Sequence, residues 1–237
     1  KKRVPDTPGP MKDLAKGQSI SSAKTSRKQV ASLLKLESLF EDGNRNLDLG
    51  GGKFDLGTAQ LKEYGVESKV MDEYNRTPEH NKKVEEWVGD GVDTVTVANV
   101  LNVIKEPEAR AEVIQTAYDS LVDGGSAYFQ VYYDSKKEAG ETKDGYQNHK
   151  PLKDYLPEVQ KIFPEAELKT VEGLRIIVAP KSNSVEISQA DIKKLGLPVR
   201  DSKLGVGKRM GNDYYVHKSE ASAIEKEFGK TKYDNAK

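Results

Sequence analysis

Asp48 lies in an alternating run, Asn46-Leu47-Asp48-Leu49, that opens directly into Gly50-Gly51-Gly52. A strand that runs into glycines and then into a helix allows positive φ and lets a ligand approach the main chain closely. The alternative is a plain strand-to-helix turn. Asp72 ends the next strand-like run, Lys69-Val70-Met71. A carboxylate in that position can accept both hydroxyl hydrogens of a ribose, so the pair points to an adenosine-containing ligand. The dinucleotide fingerprint is incomplete, because Asp55 stands where its third glycine belongs. No Gly-Lys-Ser/Thr follows at P-loop spacing either. A nicotinamide-dependent oxidoreductase therefore fails on the glycine spacing.

A second group of chemically useful side chains lies further on. Tyr132 to Lys150 is a long polar stretch after a predicted strand, at the edge where a ligand would sit. Long ordered loops are often functional. Tyr133, Tyr146, Gln147 and His149 are placed to contact an acceptor. The alternative is strand-end packing for Tyr133 and solvated loop positions for the others. His80 reads as a surface or local-turn residue, and His217 receives no role. No His/Asp/Glu spacing supports a metal. The absence of cysteine removes disulfides, thiolate zinc sites and cysteine nucleophiles.

Positioning these residues requires strands alternating with helices. Val30, Leu33, Leu34, Leu36 and Phe40 recur at near-helical spacing and predict an amphipathic helix ending near Asp42-Gly43. Strands are predicted at Asn46–Leu49, Lys69–Met71, Thr94–Ala98 and Ala127–Tyr133. Helices are predicted at Phe54–Tyr64, at about Lys83–Val88, at Glu108–Leu121 ended by Asp123-Gly124-Gly125, and at Leu152–Phe163 with Pro157 in its first turn or at a kink. Glu167–Val171 and Leu174–Ala179 form a hairpin about Glu172-Gly173. This alternation predicts an α/β fold with a mostly parallel sheet covered on both faces and ligands beyond the carboxyl ends of its strands.

The chain of 237 residues carries 38 basic and 38 acidic side chains. The zero net charge conceals a partition: +6 over residues 1–30, −10 over 31–180 and +4 over 181–237. Residues 1–29 read as a basic arm, 30–180 as the α/β domain and 181–237 as a basic extension or small accessory module. In the extension, Gly211 to His217 predicts a small hairpin and Ser219 to Phe228 a helix. Basic ends can contact nucleic acid or protein, here through Lys203, Lys208 and Arg209; equally, they can rest on the acidic middle or keep the chain soluble. The opening Lys1-Lys2-Arg3, without Met, reads as a fragment or a processed product. No apolar run approaches the length of about 18 residues that a membrane helix needs.

Four ordered motifs carry a resemblance. Asp48-Leu49-Gly50-Gly51-Gly52, Asp72, the stretch Asp93 to Val103, and Leu121-Val122-Asp123-Gly124-Gly125-Ser126 together resemble the class I S-adenosylmethionine-dependent methyltransferases. The stretch Asn99 to Arg110, with Tyr146-Gln147, is similar to methyltransferase-like proteins associated with phage and DNA-modification systems. The resemblance implies a Rossmann-like sheet, mostly parallel with a C-terminal antiparallel hairpin. It also implies S-adenosylmethionine as cofactor. Asp48, Gly50, Gly51 and Gly52 would surround the methionine part, Asp72 would hold the ribose, Asn99 would lie beside the sulfonium and Val100 would line the pocket. For the adenine contact Asp90 matches poorly, and Trp87 or Val88 would only pack.

Two acceptor chemistries are disfavoured. Asn99-Val100-Leu101-Asn102 stands where amino-methylating DNA enzymes carry Asp/Asn/Ser-Pro-Pro-aromatic, and cytosine-C5 enzymes need a cysteine. O- or N-methylation of a small molecule, a protein or a nucleic-acid group remains, with Asn99, Tyr133, Tyr146 and Gln147 as catalytic candidates. The expected protein is thus a methyltransferase of phage or mobile-element type, acting in the cytoplasm, in a host cell's cytoplasm or in a virion. The alternative is a catalytically degenerate domain serving as a binding or structural module in a larger assembly.

Overall fold

The computed structural model describes residues 29–142 and 145–181, together with the backbone of 185–188, 209–210 and 213–216. In chain order the first unit contains β1 (Arg45–Leu49), α1 (Leu56–Glu63), β2 (Glu67–Met71), α2 (Pro78–Val88), β3 (Val92–Ala98), α3 (Pro107–Asp119) and β4 (Leu121–Gln130). It continues with β5 (Gly140–Thr142), β6 (Gly145–Gln147), α4 (Leu156–Gln160), β7 (Glu167–Val171) and β8 (Leu174–Pro180). The chain divides into two units, Lys1–Lys181 and Ser182–Lys237. Within the second, β9 (Val185–Ser188), β10 (Arg209–Met210) and β11 (Asp213–Val216) form an antiparallel sheet in the order β10-β11-β9. The predicted tail hairpin corresponds to β10 and β11. The N-terminal arm, the predicted helix over residues 219–228, Lys203 and Lys208 lie outside the described residues.

The main sheet has six strands in the order β2-β1-β3-β4-β8-β7. The first four run parallel; β8 runs antiparallel to β4, and β7 pairs antiparallel with β8 through the turn at Glu172-Gly173. This is the mostly parallel α/β sheet with a C-terminal antiparallel hairpin that the sequence predicts. Parallel strands need crossover connections, and α1, α2 and α3 supply them. Pro107 opens α3 and Pro78 opens α2, where the Thr77 hydroxyl also accepts from the His80 amide at 3.2 Å.

The two sheet faces differ chemically. On one, Leu47, Met71, Val95 and Val97 join Val84, Val88, Val113, Ile114 and Ala117 from α2 and α3 in a continuous apolar core. Phe163 anchors its far end, edge-on to Tyr118 and Phe129 with ring centroids 5.1 and 6.2 Å away. On the other face β1 and its neighbours bury Asn46, Asp48, Ser68, Thr94 and Thr96. These side chains satisfy one another: Asn46 Nδ2 donates to Ser68 and Thr96, Thr94 donates to Asn46 Oδ1 and Thr96 donates to Asp48 Oδ1, over 2.8 to 3.2 Å.

Several predicted elements differ from the structure. The segment from Val30 to Phe40 is two 3-10 turns, Ser32–Lys35 and Glu37–Leu39, instead of one helix. Its leucines serve two separate clusters: Leu33 and Leu36 pack with Tyr128 and Ile176, while Leu34 joins Phe40, Leu61 and Val66. One α-helical stripe would reach only one of them. The helix predicted to run to Leu121 stops at Asp119, and Asp123-Gly124-Gly125 lies inside β4. There the pairing with β3 jumps from Val92↔Leu121 to Thr94↔Ser126, so the glycines accommodate a bulge rather than end a helix. β4 ends at Gln130, short of Tyr133. The predicted loop over Tyr132 to Lys150 contains the hairpin β5–β6, and Leu152 to Phe163 is a 3-10 turn followed by the short α4, with Pro157 in its first turn.

Arg110, 2% exposed, binds both Glu158 carboxylate oxygens at 2.7 and 2.8 Å and donates to the Ile104 and Lys105 carbonyls at 3.0 and 2.8 Å. It ties the segment after β3 to α4 with bidentate geometry. That segment forms one wall of the site described next.

Candidate functional site

The chain leaves β1 for β2 on one side, while β3 lies on the other side of β1. The crevice at such a switch point, beyond the carboxyl ends of the strands, is where open α/β sheets place ligands. A cavity of about 910 Å³ lies there, lined by Leu49, Gly50 and Gly52 after β1, Met71 to Asn75 after β2, and Ala98 to Val100 after β3. Its other wall comes from Asn102, Val103 and Ile104, and from Tyr132, Lys137, Thr142, Gln147 and His149. Gln29 to Ser32 complete the lining together with residues of α3.

The glycine bend is built tightly. Gly50 has φ +76°, and its amide donates to the Met71 carbonyl at 2.7 Å. A Cβ added there would stand 2.4 Å from Val100 Cγ2. Gly50→Ala should therefore cost roughly 1–3 kcal/mol of stability through strain and overpacking, read as a shift in the urea midpoint. A midpoint unchanged from the wild type would show that the bend is looser than this contact implies. Gly52 is clamped from both sides: its amide donates to Asp72 Oδ2 at 2.8 Å and its carbonyl accepts from Arg76 Nε at 2.8 Å. Arg76, 2% exposed, also pairs with Asp55 at 2.8 Å.

Asp72 is the centre of this clamp. Its backbone is gripped by Asn81, whose carboxamide accepts from the Asp72 amide and donates to the Asp72 carbonyl, each at 3.1 Å. Its carboxylate accepts from the amides of Gly52, Tyr74 and Asn75 at 2.8 to 2.9 Å and from Asn75 Nδ2 at 3.1 Å on both oxygens. A carboxylate offers about four lone-pair positions, and these donors fill them. Asp72 therefore lines the cavity while its hydrogen-bonding capacity is engaged by the protein.

Glu73 and Tyr74 follow on the same rim. Burial raises the Glu73 carboxyl above its ordinary value, with Glu85 and Asp72 adding to the effect. Burial, with Glu73 and Asp72 beside it, pushes the Tyr74 phenol up to about 12. Asn75 is 6% exposed, and its Oδ1 has no hydrogen-bond partner. Asp48 lies beneath the bend and does not line the cavity. Its carboxyl is pushed up to about 7, first by burial and then by Asp72, against the hydrogen bond from Thr96 and the charge of Arg76. Gly51 packs towards Asp48 and Val70 and is likewise not a lining residue.

Asn99, exposed, holds φ +60°, an uncommon conformation that Asn tolerates better than most residues, and its amide donates to the Gln130 carbonyl at 2.8 Å. Val100 forms the wall opposite Gly50. Of the other catalytic candidates, Gln147 lines the cavity and Tyr133 and Tyr146 do not. Tyr133 is 44% exposed, and the Tyr146 ring lies under Lys105 Nζ at 5.7 Å. Asp90, a poor match for the adenine contact, and Trp87 and Val88, expected only to pack, are also absent from the lining. Trp87 stacks between Arg45 at 4.4 Å and Lys69 at 4.6 Å and donates to Glu67, at the amino ends of β1 and β2. His80 is not merely a turn residue: its Nε2 bonds the Val70 carbonyl of β2 at 2.8 Å.

Sequence reasoning missed Glu73, Asn75, Arg76 and Asn102. For the turn that carries Asn75 a signal existed, since an Asp at a strand tip favours an Asx-type turn, here made by Asp72 to the Tyr74 amide. Arg76 and Asn102 carry no local signature. Among the described residues no cluster of three or more His, Asp or Glu side chains is arranged to hold a metal, and no helix is long and apolar enough to cross a membrane.

No protein-family model matches the chain, and no curated protein matches it. Solved structures of similar fold include the S-adenosylmethionine-dependent methyltransferase SibL, 16% identical with a TM-score of 0.47 over 63% of this chain and 53% of that one. Another is the Burkholderia thailandensis 1,6-didemethyltoxoflavin-N1-methyltransferase with bound 1,6-didemethyltoxoflavin and S-adenosylhomocysteine, 15% identical with a TM-score of 0.48 over 67% and 80%. A third is an O-methyltransferase family protein from the same organism, 15% identical with a TM-score of 0.44 over 64% and 56%. The similarity thus spans about half the length of the first and third of these chains.

Proposed function

We propose that this chain is an S-adenosylmethionine-dependent methyltransferase. The observation that carries the reading is the chemistry of the crevice wall. Asn75 Oδ1, an unpaired buried acceptor, belongs to a lining that also includes the acidic residues Asp72 and Glu73, next to a glycine bend that leaves no room for a side chain. Such a wall suits a ligand that brings hydroxyl and ammonium hydrogens and positive charge, as this cofactor does. The cavity volume of about 910 Å³ leaves room for a second molecule beside it.

When bound, the cofactor supplies an activated methyl group, whose transfer depends more on placing a nucleophile in line than on a strong base. The protein's part is to bind and orient. Glu73 takes the ribose hydroxyls, because the Asp72 lone pairs that the sequence assigned to them already hold Gly52, Tyr74 and Asn75. Asn75 Oδ1 accepts a further ligand hydrogen. Asp72 and Arg76 keep the bend in shape, and Asn99 and Val100 wall the crevice on the β3 side.

Titration calorimetry of the full chain with S-adenosylmethionine and S-adenosylhomocysteine tests this directly. Saturable binding of both is expected. A folded protein that binds neither would return the chain to the alternative, a degenerate domain with a structural or binding role.

A further inference from the structure

The part of the cavity away from the glycine bend has its own chemistry. Asn102 is 2% exposed and lines the cavity, and its Oδ1 has no hydrogen-bond partner. Its Nδ2 makes only a long contact, 3.5 Å, to Gln147 Oε1. The main chain that carries it is pinned, since the Asn102 backbone carbonyl accepts from the Asn148 amide at 2.6 Å. Two other lining residues, Thr142 and His149, likewise have buried atoms without partners, Oγ1 and Nδ1. Tyr132, 49% exposed, stands edge-on to His149 with centroids 6.2 Å apart and lines the same wall.

Buried polar atoms in native proteins nearly always find partners, so a group of three in one wall marks a place where a ligand supplies them. A buried carboxamide with a free acceptor and loosely engaged donors complements a ring edge bearing both N–H and acceptor nitrogen or oxygen. An exposed tyrosine face beside it offers a stacking surface for a planar ring. We propose that this wall is an acceptor subsite for a nucleobase, recognised by Asn102 through its edge and by Tyr132 through its face. The proposal rests on the methyltransferase reading only for the word acceptor; the recognition chemistry stands without it.

The test is calorimetry of the full chain with the common nucleosides and with a mixed-sequence single-stranded oligonucleotide, in the presence and absence of saturating S-adenosylhomocysteine. Binding that persists with the homocysteine compound present, and that weakens by about tenfold or more in both Asn102→Leu and Tyr132→Ala, is expected. Tyr132→Ala removes a half-exposed ring and keeps the test decisive even if Asn102→Leu unfolds. Equal affinity for nucleoside and oligonucleotide would assign the subsite to a free metabolite; a large gain with the oligonucleotide would assign it to a strand. Homocysteine-compound binding without any nucleobase binding would overturn the subsite and leave the methyltransferase reading intact. Nucleobase binding without it would do the reverse. Binding of an Asn- or Gln-containing peptide but of no nucleobase would also overturn the proposal.

Discussion

Asp48→Asn should raise stability at pH 8 by roughly 4 kcal/mol and leave it nearly unchanged at pH 4. The folded carboxyl titrates at about 7, against an ordinary value of 3.8, because burial disfavours its charge. Between those values the folded state holds a proton that the unfolded state has lost. The contribution of Asp48 is therefore fully present below pH 4 and disappears as the pH rises through 7. A carboxamide does not titrate, and its oxygen can still accept from Thr96, which now donates to Asp48 Oδ1 at 3.1 Å. Urea unfolding of both proteins from pH 4 to pH 8 checks this. Two parallel stability curves would mean that Asp48 ionises as freely in the fold as outside it.

Asp72→Ala and Glu73→Gln should fail in different ways. The first strips partners from the amides of Gly52, Tyr74 and Asn75 and from Asn75 Nδ2. Leaving several buried donors unpaired should cost about 3–5 kcal/mol, partly offset because Asp48 loses a like-charged neighbour. Ligand binding is lost together with the shape of the bend. Glu73→Gln leaves the clamp alone, so the melting transition should stay put while affinity for S-adenosylhomocysteine falls by about tenfold, the worth of a charge-assisted hydrogen bond to a hydroxyl. Thermal unfolding and calorimetry on both variants separate the two roles. If Glu73→Gln binds like the wild type and a folded Asp72→Ala protein does not, the ribose belongs to Asp72 after all.

What could be read from the sequence was local. The alternation in Asn46 to Leu49, the glycines after it and the β-branched run before Asn99 each report on a few adjacent residues, and each strand formed in the expected place. Leucine spacing between Val30 and Phe40 fits a helix equally well, yet those side chains divide between two clusters that exist only after the sheet has assembled. Asn46, Asp48, Thr94 and Thr96 have the composition of a solvated face, and only their mutual pairing across β1 and β3 reveals a buried one. The same holds at the crevice. Asp72 was legible as a carboxylate at a strand tip, but its saturation depends on Asn75 and Gly52, brought together by a turn and by strand pairing. Asn102 meets Gln147 at a sequence separation of 45, and no short pattern announces that meeting.

The bend formed by Gly50 to Gly52 also sets a filter on charge. In nucleotide sites such a turn points free N–H groups at a phosphate. Here the Gly50 amide faces the Met71 carbonyl and the Gly52 amide faces Asp72, so two of those donors are turned inward. A phosphorylated ligand entering the crevice would meet acidic oxygens where it requires hydrogens. At the bend itself, though not along the opposite wall, a phosphate group is therefore disfavoured on electrostatic grounds, while hydroxyls and positive charge are favoured.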